Sequence, residues 1–171
     1  VTINSEGDVT LVSANIGGDL VVNVDNDGDG SETLTTGALS AASINVLGTG
    51  TNEDLNFIST VTSTGTSIII DNADIVDLDG NVLANTSLTI QNVGTEVQVA
   101  GGVNLTATNG ALSVVTGVTE IEFDGTGSSV IDGNGDALVT LAAIVDTAGG
   151  NDNVTINSEG DVTLVSANIG G

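Results

Sequence analysis

Residues Val1–Gly18 read VTINSEGDVTLVSANIGG, and residues Val154–Gly171 read VTINSEGDVTLVSANIGG again. Eighteen identical residues at an offset of 153 define a period. Self-similarity at a fixed period marks a repeat architecture. The reading predicts one complete repeat, residues 1–153, and the opening of the next, residues 154–171. Within the stretch, Val1-Thr2-Ile3-Asn4 and Val9-Thr10-Leu11-Val12 are short β-branched runs, separated by the turn residues Ser5-Glu6-Gly7-Asp8. Such runs read as strands.

The same texture continues outward. Leu20-Val21-Val22-Asn23-Val24, Ile44-Asn45-Val46, Leu55-Asn56-Phe57-Ile58, Ile68-Ile69-Ile70, Leu88-Thr89-Ile90 and Ile121-Glu122-Phe123 are examples. Most such runs start roughly 8 to 15 residues apart, with Gly, Asn, Asp or Ser between, which indicates an all-β sandwich, barrel or solenoid. Residues 137–148 are the only plausible helical patch, stopping at Gly149-Gly150, and helix is weakly supported there because Val139, Thr140, Ile144 and Val145 suit a strand as well.

Two β architectures compete. An antiparallel β-sandwich repeat draws on aromatic core anchors and edge prolines. The chain has no Trp, Tyr or Pro, and Phe57 and Phe123 are its only aromatics. A parallel β-helix (β-solenoid) stacks one coil on the next about 4.8 Å apart. Its thin core suits Val, Ile, Leu and Ala, and its corners suit Gly and Asn, which tolerate positive φ. Stacked Asn and Thr form ladders between coils. The composition predicts the second architecture, with about seven coils of roughly 20 residues per period. It also predicts that each repeat's last coil is the platform for its successor, so that the solenoid is continuous between tandem repeats.

The stretches GGDLVVNV, GALSAASINVLGTG and ANTSLTIQNVGTEVQVAGGVNLTATNGALSVVTG resemble the filamentous-haemagglutinin type of bacterial surface adhesin. The resemblance is one of texture over most of the chain. It implies a right-handed parallel β-helix and a secreted or surface-tethered fibre used in adhesion or matrix building, with no catalytic residues. A weaker likeness to calcium-binding RTX nonapeptides rests on Gly149-Gly150-Asn151-Asp152-Asn153-Val154 and Gly133-Asn134-Gly135-Asp136-Ala137-Leu138. Both depart from that family's spacing, and neither recurs in series.

Charge excludes several functions. The chain has 23 carboxylates and no Lys, Arg or His. Nucleic-acid binding needs cations against phosphate, as does attraction to an anionic membrane. No apolar run is long enough to insert into a bilayer. Triad chemistry lacks its base, and transition metals lack His and Cys. Carboxylate pairs that cleave glycosides commonly work beside aromatic platforms, which two Phe residues do not supply. The chain reads as a non-enzyme. A net charge of −23 repels itself and needs screening by salt or divalent cations. That points to the outside of a cell.

Calcium takes six to eight oxygens, and alternating carboxylates on a glycine-hinged loop can wrap it. Asp25, Asp27 and Asp29 with Gly30 match the first half of an EF-hand loop, but Thr36 stands where the closing Glu belongs. Glu32 is the substitute ligand. Asp71, Asp74, Asp77 and Asp79 form a second candidate, and Asp132 with Asp136 a third. Each stretch reads alternatively as a solvated acidic turn.

The expected function is a structural repeat of an extracellular filament or adhesin stalk. Its partners are adjacent identical repeats, with neighbouring fibres bridged through divalent cations. A glycan- or ice-binding module is the alternative.

Overall fold

A computed structural model describes residues 1–25, 27, 30–49, 52–134, 137–146 and 153–168. Its strands form one sheet in which every pairing is parallel. The described residues contain no helix. The antiparallel alternative therefore falls, and the chain is a β-solenoid of about seven turns. Within residues 137–146 the segment takes the strand option, with Val139–Leu141 and Ala143–Asp146, and residues 147 and 148 lie outside the described residues.

Each turn has three sides. Side one carries the ladder Ile3, Val22, Val46, Ile70, Ile90, Val114, Leu141, Leu164. Side two carries Val9, Leu34, Leu55, Val76, Val97, Ile121, Ile144, Ala167. Side three carries Ala14, Leu39, Val61, Val82, Leu105, Ile131, Ile156. Turn length varies from 19 residues, Ile3 to Val22, to 27, Val114 to Leu141.

Period-two alternation puts one apolar set inside. In Leu20–Val24, Leu20, Val22 and Val24 are buried, while Val21 and Asn23 face outward. The inner positions stack Val, Leu, Ile and Ala along the axis into one continuous core. Phe57 and Phe123 are both core residues, as expected. They share one inner row of side two, with Leu78 and Val99 between them.

Corners use Asn in two ways. Asn72 (φ 64°) and Asn92 (φ 54°) stack at the corner between sides one and two, in the left-handed region that Asn tolerates. Gly117 (φ 67°) follows one turn later. At the corner before side three, Asn81 Oδ1 accepts from the Asn104 N–H at 2.8 Å, and Asn104 Oδ1 accepts from the Val130 N–H at 2.9 Å. These side chains satisfy backbone donors that the sheet ladder leaves over.

Thr36, Ser63 and Ser129 are polar residues at buried strand positions, and Thr36 stands apart from the two serines. Thr36 is fully buried between Leu11 and Phe57, and its hydroxyl has no hydrogen-bond partner among the described residues. A buried hydroxyl without a partner costs about 1–3 kcal/mol. Thr36→Val keeps the shape and removes that cost. It is expected to stabilise the fold by about 1–2 kcal/mol, read as a higher urea midpoint. A lower midpoint would show that the hydroxyl has a compensating contact.

Candidate metal centre

The corner between sides one and two varies most in length. It is the single residue Ala142 between Leu141 and Ala143. It becomes a long loop from Asp25 to Glu32, and another from Thr49 to Glu53 one turn later. Both loops end in a glutamate just before a side-two strand, Glu32 ahead of Thr33 and Glu53 ahead of Asp54. The Asp54 N–H donates to the Glu32 carbonyl at 3.2 Å, and the Asp74 N–H donates to the Glu53 carbonyl at 2.8 Å. The solenoid therefore stacks Glu32, Glu53 and Asp74 along the axis.

Asp25 enters from the other end of the first loop, at φ 52°. One oxygen each from Asp25, Glu32 and Glu53 lies within 4.8 Å of the others. Asp25 and Glu53 are fully buried, and Glu32 is half-buried. Glycine makes the space. A Cβ at Gly30 would collide with the Glu32 carboxylate, and one at Gly48 would sit 3.3 Å from Glu53 Oε2.

Three carboxylate oxygens this close together form a set that could in principle hold a metal ion. An ionised carboxylate taken from water needs hydrogen-bond donors, a positive charge or a proton beside it. No side chain of this sequence supplies the positive charge.

Of the first predicted group, Asp25 and Glu32 come together. Asp27 is exposed, and Asp29 lies outside the described residues. Glu53 is the residue that reading the Asp25–Glu32 loop alone misses. The signal was a coil apart: SETL at 31–34 and NEDL at 52–55 align glutamate on glutamate.

The second predicted group is spread over one long strand, Ile68–Leu78, and its edge. Asp71 accepts from Gln91 Nε2 at 2.8 Å and Asn92 Nδ2 at 2.7 Å, and Asp74 accepts from Thr95 Oγ1 at 2.5 Å. Asp77 and Asp79 belong to an acidic outer face on side two, with Asp124 nearby. Among the described residues these four make no three-carboxylate cluster. In the third group, Asp132 lines an open polar groove with Asn134, Asn157 and Glu159, and Asp136 lies outside the described residues.

The acidic face shifts its own titration. Glu122 is raised by burial, then by its hydrogen bond to Glu96 and repulsion from Glu96, Glu120 and Asp124. Asp77 is raised by burial, then by Asp79 and Asp124. Asp54 is raised by burial, then by Asp74.

No protein-family model matches the chain, and no curated protein or solved structure is significantly similar to it. No described helix is long and apolar enough to cross a membrane.

Proposed function

We propose that the chain is a structural repeat of a long extracellular filament or adhesin stalk, of the filamentous-haemagglutinin type its texture resembles. The observation that carries this reading is the placement of the second VTINSEGDVTLVSANIGG. Asn153–Ser158 and Val162–Leu164 pair in parallel with the preceding turn and extend the same three-sided stack. A following copy then adds turns without a hinge. Function in such a rod is mechanical: axial hydrogen bonding and an aliphatic core stiffen it, and the acidic coat keeps rods apart. Calcium at Asp25, Glu32 and Glu53 would pin these two corner loops together. The same ion on the outer acidic face could bridge neighbouring rods.

A glycan- or ice-binding module has less support. The outward row of side one runs Thr2, Val21, Asn45, Ile69, Thr89, Ser113, Thr140, Thr163, so a flat threonine array is interrupted in its first half.

Electron microscopy of chains carrying several tandem copies tests the reading. Smooth unjointed rods are expected, lengthening by about 32 Å per copy at 4.8 Å per turn. Beads on flexible joints would remove the stalk.

A further inference from the structure

The two copies of the eighteen-residue stretch do not occupy the same sides of the coil. In the first copy, Thr2–Asn4 lies on side one against Val21–Asn23, residues 9–11 on side two and residues 13–15 on side three. In the second, Asn153–Ser158 lies on side three, over Ser128–Gly133. Val162–Leu164 lies on side one and Ala167–Asn168 on side two. Every equivalent segment has moved back by one side. From Ile3 on side one to its equivalent Ile156 on side three is six full turns and two sides.

The copies also use opposite edges. The first pairs with the turn that follows it, through Val21 and Leu34. The second pairs with the turn that precedes it, through Val130 and Val139. Between them, both edges of the stretch's strand segments are seen occupied among the described residues, and no edge is used twice. Burial shows what the open edge lacks. Val9, covered by the following turn, is 7% exposed, while its equivalent Val162 is 48% exposed. Side identity does not matter to these segments. VTINS and VTL need only alternate inward and outward, which any of the three sides allows.

We infer that the last turn of each copy is an interaction surface for the next identical copy, which docks one third of a turn out of phase. The inference rests on the tandem-fibre reading. The same face of the repeat then returns to the same side only every third copy, after twenty turns or about 96 Å. The carboxylate corner, one per copy, is displayed in succession on all three sides, so a rod meets neighbours in every direction rather than along one edge.

Paired cysteines in this chain test the phase. Neighbouring parallel strands bring Cα atoms to within disulfide reach. Thr140→Cys with Thr163→Cys and Val130→Cys with Thr155→Cys are expected to oxidise to intrachain disulfides. Thr140→Cys with Thr155→Cys, the pair that in-phase stacking would juxtapose, is expected to stay reduced. Circular dichroism of each variant checks that the β-structure is kept. Closure of the in-phase pair, or of no pair, overturns the inference. The fibre reading fails separately: beaded multi-copy chains would sink it with the disulfide pattern intact, and smooth rods would keep it if the in-phase pair closed.

Discussion

Calcium added to ion-free chain at neutral pH is expected to raise the melting temperature by about 5–10 °C, and Glu53→Gln to remove most of the rise. The magnitude follows from mass action. At a hundred times its dissociation constant, a ligand that binds only the native state adds about 2.7 kcal/mol. One kcal/mol moves the midpoint of a chain this size by about 2–4 °C. The ligand set exists only when the solenoid stacks the loop ending at Glu32 under the loop ending at Glu53. An unfolded chain separates these residues, so binding energy becomes folding energy. The variant has a second signature. In EDTA, Glu53→Gln takes one charge from a buried group of three and is expected to melt no lower than the parent. With calcium it loses a ligand and melts below the parent. Identical midpoints in EDTA and in millimolar calcium would exclude the ion from this corner.

Acidification is expected to stabilise this protein, where most proteins are weakened by it. Acid usually protonates carboxylates held low by cationic partners. Here Asp54, Asp77 and Glu122 are held above their ordinary values of 3.8, 3.8 and 4.5 by burial and by one another. A raised carboxylate binds its proton more tightly folded than unfolded. Its contribution is full below the ordinary value and is lost as pH rises through the raised one. Taking the calcium-free chain from pH 7 down toward pH 4 is therefore expected to raise the melting temperature. High salt shrinks the gain, because these groups are largely exposed and screened. A midpoint that falls steadily on acidification would overturn this account of the outer face.

The parallel coil was legible because its demands are local. Alternation in Leu20–Val24 needs only the chain's own period of two, and Asn72 and Asn92 suit the left-handed corner by their own chemistry. Phe57 and Phe123 sat in strand runs and are in the core. What escaped depends on how far one turn advances. Glu53 joins Asp25 and Glu32 only through a register of 21 residues between Glu32 and Glu53, inside a coil whose length varies from 19 to 27. The acidic run Asp71 to Asp79 looked like a cluster in sequence. The coil turns a corner through Asn72 and Ala73, which puts Asp71 and Asp77 on different sides. The ambiguous segment was settled, within 137–146, by neighbours: Val139–Leu141 is a strand because Leu112–Val114 and Val162–Leu164 flank it.

The parallel ladder also sets how such a stalk responds to a pull. Its hydrogen bonds point along the long axis, so in the proposed stalk every turn carries the tension in series, and an end turn, paired on one edge only, gives way first. Turns peel off in sequence, and each gives up 19 to 27 residues. Drawn out at about 3.4 Å per residue, that is roughly 65–90 Å of slack for every 4.8 Å of rod consumed. A tether built this way resists bending yet yields length gradually, absorbing shocks instead of snapping.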